Sequence, residues 1–273
     1  MIVRARKRYA LIASVTKLKH GRLCVGGYEM PEGWDPRTWA PGEALPEPIR
    51  SVRLMPEMDI AYTESNGFTP GELIGAELVD RTAITPPHTE DVYVRSSTWV
   101  TARGKPAVFL SLLRQIARSS SHSGPVGALF DGLLSRKPNG RAFVIARNLS
   151  FSTQWWEPDL AACEVRAVRR SFDNKTMLQV TDVAKKTLWS FAYVGHKELC
   201  HRLFNQIATD GSLNGADGLL LLRMSLARWN DKYDDVEVCY GDLSAAWFAP
   251  NDSPASLVPL ICGEQRSGKC CHF

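Results

Sequence analysis

The chain has 273 residues, 44% of them hydrophobic and 23% charged, with a formal net charge of +4. That composition supports a packed interior and excludes wholesale disorder, and the length suits two ordinary domains better than one oversized core. No stretch approaches the roughly 20 consecutive apolar residues of a membrane-spanning helix. The N-terminus lacks the pattern of a signal peptide, because Lys17 and Lys19 follow its apolar run directly. A cytoplasmic protein with no membrane partner is expected.

The seven cysteines are scattered, with only Cys270 and Cys271 adjacent, and no C-x-x-C pair is present. Reduced thiols are therefore expected, with no metal and no cofactor. The tail Cys262, Cys270, Cys271 and His272 is the one place where metal ligands gather in sequence, and its C-a-a-X form lacks aliphatic middle positions.

The charge is unevenly placed. Arg4, Arg6, Lys7, Arg8, Lys17, Lys19 and Arg22 all precede the first acid, Glu29, so the rest of the chain carries a net −3. Tyr9 to Val15 reads as a buried strand and Leu23 to Tyr28 as its hairpin partner, so the charges flank a strand. Such a segment needs either a solvated face or an anionic partner.

From Tyr28 to Pro56 prolines and glycines interrupt the chain, giving a long ordered loop in which Trp34 and Trp39 read as caps on a core. Strands are expected over 71–79 and at 92–94, after the Pro86-Pro87 entry. Four short strands without strand–helix alternation favour a small barrel. Periodicity then changes: Phe109, Leu110, Leu113, Ile116 and Ala117 lie on one helical face, and a second short helix is expected over 126–134. The second half returns to strands at 142–146, 163–168, 176–181, 218–226 and 236–243, with one helix over 196–208. Together these give a mainly β protein of two small barrels: 1–103, a helical connector 104–138, a second barrel 139–250, and a tail 251–273.

Two stretches resemble a bacterial family, the dual OB-containing domain. Arg22-Leu23-Cys24-Val25-Gly26-Gly27-Tyr28 is similar to its early strand, and Pro86-Pro87-His88-Thr89-Glu90-Asp91 to the motif closing its first half. Leu178 to Asp182 and Leu220 to Leu226 resemble strands of its second half. The family's Trp-Ile-Arg-Pro run is replaced here by Trp39-Ala40-Pro41, so the role of that arginine does not transfer. The resemblance implies two OB-like barrels and nucleic-acid recognition in a bacterial conflict or phage-defence setting, with no catalytic residues.

Phosphate-loop, zincin, nucleophile-elbow and dinucleotide fingerprints are absent, and His88-Thr89-Glu90 lacks the downstream P-C-x-x-C of a zinc deaminase. His88, Glu90 and Asp91 remain as weak catalytic candidates. On an extended strand His88 and Glu90 share a face and Asp91 takes the other.

Trp155 and Trp156, in a loop-like segment, and Phe172 are candidate stacking platforms, and Arg166, Arg169 and Arg170 form a second basic cluster. The expected function is nucleic-acid binding, to single-stranded or modified DNA or to RNA, through Arg4, Arg6, Lys7, Arg8, Lys17, Lys19, Arg169, Arg170 and the two tryptophans. The alternatives are an enzyme that excises or cleaves modified DNA with His88, Glu90 or Asp91, and an adaptor that docks an effector protein.

Overall fold

The computed structural model describes residues 5–40, 42–45, 47–57, 62–63, 67–81, 85–99, 106–170, 175–195, 219–233 and 235–249. Arg4, Phe172, the segment 196–208 and the tail with Cys262, Cys270, Cys271 and His272 lie outside these residues, as does the Lys19 side chain.

The first barrel uses β1 (Arg6–Lys17), β2 (Arg22–Glu29), β3 (Arg50–Pro56), the short β4 (Tyr62–Thr63), β5 (Leu73–Asp80) and β6 (Asp91–Trp99). The order β1-β5-β6-β3-β2 closes through β1–β2 pairing, with β3 and β6 parallel and β4 on the edge of β2. Alternation explains which residues fill it. Ala10, Ile12, Val25, Val52, Leu54, Ile74, Leu78 and Val92 point inward to form one core. Strand β3 corrects the expectation of an unbroken loop from 28 to 56: the alternation of Val52 and Leu54 between Pro48 and Pro56 supplies a strand.

Helix α1 (Pro106–Ser119) follows, and then β7 (Ser121–Gly124), β8 (Ser135–Arg136), β9 (Ala142–Ile145), β10 (Thr153–Pro158), β11 (Cys163–Arg169), β12 (Thr176–Asp182), β13 (Thr187–Tyr193), β14 (Leu219–Tyr233) and β15 (Val236–Ala249). No second α-helix forms over 126–134. Val126–Ala128 makes a single tight turn, and Phe130 and Asp131 take φ of 55° and 58°, which ends any right-handed helix.

The second sheet runs β11-β12-β13-β15-β14-β10-β7, with β13 and β15 parallel. Its strands repeat the order of the first barrel if β10 and β11 count as one strand broken by the turn at 159–162. The chain itself then bridges the two edges, and the inward residues Trp156, Val165, Leu178, Val180, Phe191, Leu222, Met224 and Leu243 share one core. Both halves are thus OB-like barrels. Strand β9 enters where β13 and β15 diverge: Ser190 N donates to Gly140 O over 2.8 Å, and Val144 sits opposite Cys239.

A third core lies between the barrels. Leu11 and Leu73, on the outer face of the first barrel, meet Phe109, Leu112, Leu113 and Ile116 of α1, and Trp155 and Leu221 of the second barrel. Polar groups fix the register of this seam. Arg223 is 2% exposed and its Nη1 donates to Ser14 Oγ over 2.7 Å and to Ser244 Oγ over 3.3 Å. Trp155 Nε1 donates to Tyr28 Oη, Ser152 N and Oγ donate to Glu90, and Lys17 N donates to Val194 O. No helix among the described residues is long and apolar enough to cross a membrane.

Gly26 makes room for the guanidinium, since a Cβ there would stand 2.9 Å from both Arg223 Nη2 and Ser14 Oγ. Gly26→Ala is expected to destabilise the protein by about 1–3 kcal/mol in thermal or denaturant unfolding, the usual cost of overpacking a closed site. Gly127→Ala, whose Cβ would meet Trp189 at an ordinary 3.5 Å, is expected to melt within about 0.5 kcal/mol of wild type.

Candidate nucleic-acid interface

The N-terminal basic cluster does not stand free. Arg6 and Arg8 share the inward parity of Ala10 and Ile12, which brings them to the open end of the first barrel rather than to a flank. There Arg6 Nε meets Glu29 at 3.0 Å and Arg6 Nη2 meets Asp80 at 3.0 Å, while Arg50 Nη1 lies 2.8 Å from Asp80. Arg8 Nη2 pairs with Glu32 at 2.9 Å. The acids that neutralise these arginines follow β1 in sequence, so a tally of charges before Glu29 misses them. The Arg6 guanidinium, assisted by Arg50, holds the Asp80 carboxyl down to about 2, from an ordinary 3.8. Lys17 is half-buried at the inter-barrel seam, and only Lys7 of the described cluster is well exposed on the outer parity of β1.

Trp155 and Trp156 belong to strand β10 and are 2% and 0% exposed. Alternation sends Trp155 into the seam and Trp156 into the second core, where its Nε1 donates to Gly124 O. Neither presents a ring face to a base.

His88, Glu90 and Asp91 are likewise interior, at 3%, 8% and 3% exposed. Strand parity does not apply to them, because 86–87 and 89–90 form turns. Asp91 receives Arg53 through two nitrogens, at 2.5 and 2.6 Å, and Arg81 at 3.1 Å; His88 Nδ1 lies 3.3 Å from the same Arg53. Glu90 faces the other way and binds Ser152 across the seam. The three residues divide between an arginine clamp and a domain contact, and do not converge on one point.

A cationic cleft lies on the second barrel instead. Inward parity of Leu178, Val180, Phe191, Cys239 and Leu243 turns Met177, Gln179, Ser190, Tyr240 and Asp242 outward across β12, β13 and β15. The segment that wedges β9 between these strands adds Lys137, Asn139 and Arg141, and Arg170 enters from the loop joining β11 to β12. All of these except Asp242 line a cavity of about 400 Å³. Lys137 Nζ and the Arg141 guanidinium lie 4.8 and 5.2 Å from the centre of the Tyr240 ring, and Lys137 also bonds the Tyr240 hydroxyl.

Beneath them Asp242, 2% exposed, accepts a hydrogen bond from Arg141 Nη2. Burial pushes the Asp242 carboxyl up from its ordinary range, against the opposing pull of Arg141 and Lys175. Arg141 Nη1 is buried without a hydrogen-bond partner among the described residues. Three cations thus surround a cleft with one carboxylate at its base. Arg169, exposed at the end of β11, extends the positive edge, whereas Arg166 pairs with Glu164. Of the residues singled out in the sequence, Arg170 lines this cleft and Arg169 lies beside it; Lys137 and Arg141 were missed because Lys137 lies 103 residues from Tyr240 and Arg141 lies 101 from Asp242, and only the sheet brings them together.

No family model matches the chain, and no curated protein matches it. Among solved structures the chain is similar to a murine DNA-binding protein bound to double-stranded DNA, at 8% identity and a TM-score of 0.27 over 89% of this chain and 97% of that one. A score that low does not relate the two folds.

Two outcomes follow from the electrostatics. Arg141→Leu is expected to destabilise the protein by about 3–5 kcal/mol, because it leaves Asp242 buried without its partner, and Arg141→Leu/Asp242→Asn is expected to recover part of that loss in denaturant unfolding. Asp80 has a depressed carboxyl, so the stability it contributes is present above its ordinary 3.8 and is lost as pH falls through about 2. Melting temperature is therefore expected to fall less between these two pH values in Asp80→Asn than in wild type.

Proposed function

We propose that the protein binds single-stranded nucleic acid, DNA or RNA, across the outer face of the second barrel. The observation that carries this reading is the convergence of Lys137, Arg141 and Arg170 around one cleft on the β12–β13–β15 face. OB-folds bind oligonucleotides on the face of their second and third strands and on the loop between the first and second; in this barrel those are β12, β13 and the loop that begins at Arg170. Guanidinium groups suit phosphate because they offer paired donors in a fixed plane.

The first barrel's corresponding surface supports the same choice of side. Its β2 and β3 present Gly26, Tyr28 and Ser51 to the second barrel, so that surface is occupied within the chain. Membership of the dual OB-containing domain family, a cytoplasmic bacterial defence setting and an effector partner belong to this proposal, and rest on the sequence resemblance together with the repeated strand order.

Fluorescence anisotropy with labelled single-stranded DNA and RNA tests it. Arg169→Glu/Arg170→Glu is expected to weaken binding at least about tenfold and to reduce the dependence of log affinity on log salt by about 0.7 for each phosphate contact removed. Lys185→Glu/Lys186→Glu, the same charge change in the exposed turn at the far end of β12, is expected to have a much smaller effect. Equal losses from both pairs, or no salt-dependent binding at all, would contradict the proposal.

A further inference from the structure

A second cleft, on the first barrel, is independent of the basic face. Along the outer parity of β1 and β5 the pairs are Leu11 with Leu73, Tyr9 with Gly75, and Lys7 with Glu77. Helix α1 covers the first pair. One pleat further on, the absence of a side chain at Gly75 leaves a gap beside the Tyr9 ring, and Trp34, carried over from the loop after β2, closes one side. Tyr9 and Trp34 meet edge to face, with ring centres 5.7 Å apart. The resulting cavity of about 630 Å³ lies within the roughly 300–1,000 Å³ of small-molecule sites.

Its polar groups are few and differ in availability. Arg8 is engaged by Glu32, and Asp35 by Arg37 at 2.7 Å. Glu77 is held in place by Ser96 Oγ at 3.3 Å and Arg95 Nη1 at 3.6 Å, which fixes an acceptor at the inner end of the cleft. Lys7 is exposed at the same strand level and forms no ion pair with a described residue. The cleft therefore offers two aromatic rings, a fixed carboxylate and an ammonium group.

From these groups we infer that the cleft binds a single nucleotide whose base bears an exocyclic amine: cytosine, adenine or guanine. The base packs against Trp34 and Tyr9 over the gap at Gly75, its exocyclic amine donates to Glu77, and its phosphate meets Lys7. The Glu77 carboxylate accepts from an exocyclic amine, and the exocyclic groups of uracil and thymine are carbonyls, which have no hydrogen to donate, so these two bases are disfavoured.

Isothermal titration of the full chain with CMP, AMP and UMP tests the inference. CMP and AMP are expected to bind and UMP to bind at least about tenfold more weakly, a difference within the range of one good base-edge contact. Trp34→Ala is expected to weaken CMP at least about tenfold, the scale of a lost stacking partner. Gly75→Leu, which fills the gap from a half-buried strand position, is expected to abolish binding while the circular dichroism spectrum stays that of wild type, which shows the barrel still folded. Glu77→Gln is expected to narrow the difference between CMP and UMP.

Arg169→Glu/Arg170→Glu is expected to leave CMP affinity unchanged, which separates this site from the cationic cleft. Absence of saturable binding by any of the three nucleotides would overturn the inference. So would CMP binding that survives Gly75→Leu, including binding lost instead with Arg169→Glu/Arg170→Glu, which would leave the reading of the second barrel intact.

Discussion

The seam between the barrels constrains the rest of the molecule, and at its centre lies a buried cation. Arg223 projects from β14 into the first barrel's outer surface, where Ser14 and the absence of a side chain at Gly26 receive it, and Ser244 of the neighbouring β15 accepts a further bond from within the second barrel. Among the described residues no carboxylate neutralises it. A charge in that position is costly unless it is paired; its Nε is buried without a hydrogen-bond partner among the described residues, so the register that gives Nη1 its two serines is favoured over a sliding contact. Tyr28 with Trp155 and Glu90 with Ser152 add directional bonds around it, and α1 seals the apolar margin.

That register decides which surfaces remain for other molecules. The first barrel gives the surface around Ser14, Gly26 and Tyr28 to its partner, and closes its open end with the Arg6, Arg8, Arg50, Glu29 and Asp80 network. The second barrel keeps its outer β12–β13–β15 face, and a wedge from β9 gives it cations. Positive side chains gather at the less basic end of the sequence too: Lys137, Arg141 and Arg170 stand around one cleft, with Asp242 paired to Arg141.

Much of the fold is legible in the sequence, because alternation of apolar residues marks β1, β2, β5, β6, β12 and β15, and the spacing from Phe109 to Ala117 marks α1. Strands β3 and β10 are harder to read. Prolines before Arg50 mask the first, and in the second both Trp155 and Trp156 are buried, on opposite faces, so no polar alternation shows. The same double burial makes Trp155 and Trp156 resemble exposed stacking residues. His88, Glu90 and Asp91 look catalytic for a related reason: residue type alone does not separate a carboxylate that activates water from one clamped by Arg53 and Arg81. Arg169 and Arg170 are visible as a cluster, but Lys137, Arg141 and Tyr240 meet only through the pairing of β9 with β15, which no local pattern encodes.

If the second barrel's outer face, and not the N-terminal strand, holds the nucleic acid, the two surfaces respond differently to an oligonucleotide. Hydrogen exchange measured with and without a saturating single-stranded oligonucleotide tests this most directly. The account predicts slowed exchange in β12, β13 and residues 137–145, with β1 and β2 unchanged. Protection concentrated in β1 and the residues before Tyr9, with β12 and β13 unaffected, would contradict it.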